Sequence, residues 1–180
     1  MRAQDILYFW FTECSSKDWF KKNVDFDALL SRRFGSIHKA AADGELYHWR
    51  STGKGRLAEI ILLDQFSRNM FRDTAQMFSY DSMALTLAQE AVRYKVEANW
   101  DHSMKAFLYM PYMHSESAVI HDQAIELFSE DPALASNLDF EMQHKAIIDK
   151  FGRYPHRNAI LSRKSTVAEI EFLKQPASGF

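Results

Sequence analysis

Apolar residues in this chain fall mostly at intervals of three and four, and no stretch alternates convincingly with period two. That spacing puts side chains on one face of a helix, so it predicts helices and no sheet. A short, very apolar first helix carries Ile6, Leu7, Phe9, Trp10 and Phe11. A longer one opens at Asp25, carries Phe26, Leu29, Leu30, Phe34, Ile37 and Ala41, and closes at Gly44. After a loop, "RSTGKG", a third helix starts near Arg56. Leu57, Ala58, Ile60 to Leu63 and Phe66 cover nearly every face of it, the mark of a helix buried mid-domain.

Further along, Asp81 is expected to cap a helix lined by Met83, Ala84, Leu87, Ala88, Ala91 and Val92. Phe107 to Met110 belong to another helix, interrupted near Pro111. The hydroxyls of "HSES" (114–117) supply caps for the next, which carries Val119, Ile120, Ala124, Leu127 and Phe128. Asp131-Pro132 opens a helix running through Leu134, Leu138, Ile147, Ile148 and Phe151, with Gly152 as its stop. Thr166 and Glu169 form a capping box for a short last helix. The pattern predicts one all-α domain over residues 1–180, a compact stack of helix hairpins.

Composition narrows the classes. The 180 residues are 47% apolar and 14% aromatic, with six Gly and four Pro, which excludes a disordered or turn-rich β chain. A net charge of −2 makes general nucleic-acid binding a poor fit. One cysteine, Cys14, allows no internal disulfide, and no apolar run reaches the roughly 18 residues of a membrane span. With no signal-like N-terminus, the expectation is a cytoplasmic protein.

Three polar stretches are the candidates for chemistry. In "LLDQFSRN" (62–69), Asp64 and Arg68 share a helix face, as do Gln65 and Asn69. Asp64 and Arg68 form either an ion pair finishing a buried helix or an acid that aims Arg68 at a ligand. In "YMPYMHSES" (109–117), His114, Ser115 and Glu116 follow a proline. Neighbouring residues point different ways, so they are not a catalytic triad by themselves. In "FGRYPHRN" (151–158), Arg153, His156, Arg157 and Asn158 are the polar residues. From Lys150 to Lys164 there are five positive charges, Arg163 included, and no acid. Such an excess calls for a negative partner. That partner is a bound carboxylate or phosphate, or else Asp64, Glu116 and Asp149 brought in from other helices. Phe151 and Tyr154 could also stack bases of a single strand, a weaker reading. His114, Glu116, His144, His156 and Asp64 are metal-ligand types without a metal-binding spacing, so no metal site is assigned. His144 shares a face with Ile147, Ile148 and Phe151, as a neutral core histidine would. Cys14 reads as an inert thiol.

These stretches, with "FWF" (9–11), "DGELYHW" (43–49), "HKAIIDKFGRYPHRN" (144–158) and "STVAEIEFL" (165–173), resemble the DUF924 family of bacterial proteins of unknown function. The resemblance implies an all-α fold similar to tetratricopeptide-repeat proteins, and no reaction, substrate or cofactor. It singles out Asp64, Gln65, Arg68, Asn69, His114, Ser115, Glu116, His144, Arg153, His156, Arg157 and Asn158 as site candidates. The family pattern has Pro where Ser67 stands, expected to loosen the turn after the buried helix. It has Gly where Ser162 stands, which puts the neighbouring Arg163 in doubt. The resulting expectation is a pocket for a small anionic metabolite. If the protein is an enzyme, His114 or His156 is the acid–base and Glu116 or Asp64 its orienter. The rivals are a helical scaffold binding a peptide or partner protein, and a metal-dependent hydrolase.

Overall fold

The computed structural model describes residues 1–176, so positions 177–180 of the expected domain lie outside the described residues. Among the described residues every regular element is a helix. Helix α1 (Ala3–Tyr8) widens into a π-helical turn, Phe9–Glu13, and is followed by α2 (Ser16–Phe20) and α3 (Val24–Ala42). Then come α4 (Gly53–Ile61), α5 (Ser67–Met70), α6 (Asp81–Arg93) and α7 (His102–Met113). The chain finishes with α8 (Ala118–Ser129), α9 (Ala135–Phe151) and α10 (Val167–Leu173).

Helix α4 is the axis of the core. Leu57, Ala58, Ile60 and Ile61 are all fully buried, and the helix packs against α1, α6 and α7. It begins at Gly53, three residues earlier than the pattern suggests, because the Thr52 hydroxyl accepts from the Gly55 amide (3.1 Å). Gly55 has to be glycine for packing reasons: a Cβ there would lie 2.0 Å from the Trp49 carbonyl oxygen. Glu59 is fully buried too, and a bidentate pair with Arg50 (2.6 and 2.7 Å) compensates its charge.

Other boundaries also differ from the pattern. Asn23, not Asp25, caps α3, accepting from the amides of Asp25 and Phe26. Pro111 does not interrupt α7, which runs through it to Met113. A proline inside a helix removes one hydrogen bond, and here dense packing on α4, α6 and α8 carries the helix past it. Neither serine of "HSES" caps α8 through its side chain; the Ser115 hydroxyl instead accepts from the Ser117 amide (3.2 Å). Asp131 caps a 3-10 turn, Pro132–Leu134, that leads into α9. Gly152 does end α9, at φ +68°, and the Thr166–Glu169 capping box opens α10 as read.

Both departures from the family pattern find an explanation. Ser67 is fully buried, and its hydroxyl lies 2.8 Å from His38 Nε2, which ties α5 to α3 instead of loosening the turn. Ser162 adopts φ +55°, a left-handed conformation that glycine takes without cost. Ser162→Gly should therefore raise stability by about 1 kcal/mol, read as a higher urea midpoint at unchanged slope; a lower midpoint would contradict the strain at this position.

Candidate functional site

The buried helix does not stop where its polar residues begin. Leu62–Phe66 form a π-helical turn joining α4 to α5, so one continuous rod carries Asp64 and Gln65 through the core. Wider turns of this kind often mark functional positions. Asp64 is 1% exposed, and its surroundings are built to keep it charged. Arg68, one turn on, reaches Asp64 Oδ1 at 2.9 Å and the Asp64 carbonyl at 3.0 Å. Gln65 Nε2 donates to Asp64 Oδ2, and His114 Nδ1 lies 2.7 Å from Oδ1. Burial alone would raise this carboxyl; the Arg68 guanidinium, His114 and these hydrogen bonds outweigh it and hold it well below the usual carboxylate range.

His114 is the C-cap of α7. An ionised carboxylate only accepts, so His114 Nδ1 carries the hydrogen and Nε2 is the lone-pair nitrogen. Burial, then the Arg68 guanidinium, lower the imidazole below its ordinary value against the opposing pull of Asp64. The ring is therefore neutral at pH 7. Its side chain remains 17% exposed, and among the described residues Nε2 accepts no hydrogen bond.

The arginines follow a different logic from the one the sequence suggests. Arg68 also holds Asp81 with both terminal nitrogens (2.9 and 3.0 Å), and Arg157 reaches Asp81 Oδ2 at 3.3 Å and the His114 carbonyl at 3.0 Å. The Arg157 guanidinium sits 4.5 Å from the ring centres of both Phe78 and Tyr154. Arg163 makes a bidentate pair with Glu116 (2.6 and 2.9 Å) and Arg153 with Glu169 (2.6 and 2.8 Å). Arg153 holds the Glu169 carboxyl at about 2, the Thr166 amide assisting. Every guanidinium of the 150–164 segment thus meets a carboxylate, Arg157 sharing Asp81 with Arg68. Lys150 and Lys164 face solvent. The three arginines of the segment are paired from outside it, by Asp81, Glu116 and Glu169. Asp149 takes no part, being paired with Lys145.

Tyr154 anchors this end of the molecule. It is fully buried, its hydroxyl donates to the Met113 carbonyl (2.6 Å) and its amide donates to Glu116 Oε1 (2.7 Å). Arg163 binds its carbonyl (3.1 Å). Phe151 packs on Phe172 with ring centres 5.1 Å apart. Tyr154, buried at this depth, offers no face to a nucleobase, whereas Phe151 is partly exposed. His144 is the neutral core histidine expected: Nδ1–H donates to the Phe140 carbonyl (2.7 Å), and burial lowers the ring to about 3. His156 packs by Tyr154, with ring centres 5.4 Å apart, and burial followed by Arg157 lowers it to about 4.

Of the residues named from sequence, Asp64, Gln65, Arg68, His114 and Arg157 come together directly. Glu116, Asn158 and Arg163 form an adjoining knot, in which Asn158 Oδ1 accepts from Arg163 Nε (3.0 Å). Asn69 points elsewhere, donating to Asp27 (2.9 Å), so it does not share a site with Gln65. Ser115 holds a backbone amide and Arg153 lies out beside α10. Glu116 does not orient His114: it holds the Tyr154 amide and Arg163, and the His114 ring bonds Asp64 instead. Among the described residues no three His, Cys, Asp or Glu side chains are grouped to hold a metal ion.

Sequence reading misses Asp81, which it takes for a helix cap; the cap residue is Tyr80, and the Asp81 carboxylate bridges Arg68 and Arg157. It also misses His121 and Glu141, both fully buried and 2.5 Å apart. A signal was there: Glu141 interrupts the stripe Leu134–Glu141–Ile148, whose members recur every seven residues from the 3-10 turn into α9.

Removing Arg68 would leave two carboxylates, one buried, without their main counter-charge. Arg68→Ala should cost about 3 kcal/mol or more, measured by urea unfolding. A loss below about 1 kcal/mol would place the pair among surface ion pairs of little consequence.

The family model "Bacterial protein of unknown function (DUF924)" matches residues 6–177. No curated protein matches the chain. A solved structure, that of the protein of unknown function ATU0120 from Agrobacterium tumefaciens, is similar at 35% identity and a TM-score of 0.90, with 97% of each chain covered. The chain belongs to the DUF924 family, the bacterial proteins of unknown function.

Proposed function

We propose that this protein acts on a small molecule by proton transfer at His114. The observation that carries the reading is the Asp64–His114 contact: an ionised, buried carboxylate 2.7 Å from Nδ1 of a partly exposed imidazole whose Nε2 is left as a lone pair. That arrangement makes a general base near neutral pH, since the tautomer is fixed and the ring is uncharged before it accepts a proton. Asp64 is then a positioning residue that stabilises the imidazolium once formed. Gln65 and Arg68 hold Asp64 in place, and Arg157 holds the His114 carbonyl.

The arginines serve this site by position and not by capturing a free anion. Arg68 is already held by Asp64 and Asp81, and Arg157 by Asp81 and the His114 carbonyl. The substrate is accordingly a small molecule with an acidic or transferable proton, and an anionic group is not required.

The same charge pairing supports a second reading, a helical scaffold for a partner protein or peptide in which the polar residues are internal glue. The two separate at His114, where a glutamine can still donate a hydrogen bond to Asp64 but cannot take up a proton. Incubated with a mixed small-metabolite extract and followed by mass spectrometry, the wild-type protein should convert at least one component, and His114→Gln should not. Identical metabolite profiles for both proteins would overturn the acid–base reading and leave the scaffold.

A further inference from the structure

Three carbonyls in a row close the C-terminal end of α7, and each accepts from a different side chain. The Tyr154 hydroxyl donates to the Met113 carbonyl (2.6 Å), Arg157 Nη2 to that of His114 (3.0 Å) and His121 Nε2 to that of Ser115 (2.8 Å). The last carbonyls of a helix have no amide to accept from within it, so partners of this kind are needed. Here they also set a direction. The two peptide planes flanking the His114 Cα carry the Met113 and His114 carbonyls. With both planes held, the His114 Cα–Cβ bond is aimed, and Asp64 has only to fix the rotation of the ring.

His121, on α8, acts at both ends of this clasp. It is fully buried. Besides meeting the Ser115 carbonyl, its Nε2 lies 3.3 Å from the Tyr154 hydroxyl oxygen, whose own hydrogen goes to Met113. Both neighbours can only accept, so Nε2 carries a hydrogen. On the other side of the ring, Nδ1 faces Glu141 Oε1 at 2.5 Å. Glu141 Oε2 is buried and has no hydrogen-bond partner among the described residues. An ionised carboxylate in that position is poorly compensated. Burial raises the Glu141 carboxyl above its ordinary value, against the pull of its hydrogen bond with His121. The pair therefore holds one further hydrogen, between Nδ1 and Oε1. Whichever of the two atoms carries it, the Nε2 hydrogen stays on Ser115. This is the reverse of Asp64–His114, where the hydrogen sits on Nδ1 and Nε2 is left as a lone pair.

We infer that His121 is a positioning residue for His114, its Nε2–H locked onto the Ser115 carbonyl by Glu141. It touches no reacting atom and, with no lone pair to offer, is not itself a base. The clasp stands on its own geometry; its service to proton transfer rests on the acid–base reading of His114.

Long-range ¹H–¹⁵N spectra of the full-length protein at pH 7 test this through His114. The wild-type protein should show a hydrogen on His121 Nε2 and a single His114 tautomer. His121→Met, similar in length and without a donor, should lose that single tautomer, the two His114 ring nitrogens moving towards a common shift. His121→Gln, whose amide can donate to the same carbonyl, should keep their shifts apart. Should His121→Met not fold, Tyr154→Phe takes its place: it removes one hydroxyl from the clasp and should mix the His114 tautomers too. An Nε2 without hydrogen on wild-type His121, or an unmixed His114 in whichever of these two variants folds, would overturn the inference. Tautomers mixed in His121→Met and kept apart in His121→Gln, with no metabolite converted by the wild-type protein, would support the clasp and remove only the acid–base reading.

Discussion

One charge in the middle of an apolar rod organises this molecule. Asp64 lies on the continuous helix that crosses the core, where an uncompensated carboxylate would be prohibitively costly. Its compensation comes from Arg68, Gln65 and His114, and that choice propagates. Arg68 needs more than Asp64 and draws in Asp81; Asp81 in turn accepts Arg157; Arg157 closes the circuit on the His114 carbonyl. Four segments of chain that are far apart in sequence are thereby fixed in one register. The neutral imidazole is what the circuit leaves over for chemistry.

The arginine-rich loop takes on another meaning in this light. Its three arginines are paired with carboxylates from three different elements. Each pair ties the loop to α6, α10 or the segment before α8, and Tyr154 pins it to the end of α7. The segment is a clasp over the C-terminal ends of α7 and α9, built from pairs that gain strength as solvent is excluded. A second buried pair, His121–Glu141, fastens α8 to α9 beneath it.

The helices were legible in sequence because burial imposes a 3.6-residue period on apolar positions, and the all-round apolar run 57–66 located the central rod correctly. The caps were less legible, because Asp25, Asp81 and Ser117 offer side chains that could cap without saying whether a tertiary partner claims them first. Asp81 is the plain case: at the first turn of α6 it looks local, and its bonds are to residues 13 and 76 positions away. The pairing of Asp64 with Arg68 follows from i,i+4 spacing, and the family resemblance brought His114 and Arg157 into the same list. What sequence could not give was the sum of charges. The excess over 150–164 is real within the segment; in three dimensions its arginines are paired from other elements, and Lys150 and Lys164 stay at the surface. Nor could spacing reveal the π turn at 62–66, where the backbone widens without any break in the apolar pattern.

The central claim is that Asp64 holds His114 as a neutral imidazole with its proton on Nδ1. Long-range ¹H–¹⁵N correlation spectra of the histidine rings, recorded across a pH titration, measure this directly. The account predicts an unprotonated Nε2 on His114 at pH 7, a protonation midpoint below the ordinary 6.5, and a further fall in Asp64→Asn, which loses the one nearby charge that favours the imidazolium most. A proton on Nε2 at pH 7, or an imidazolium there, would contradict it.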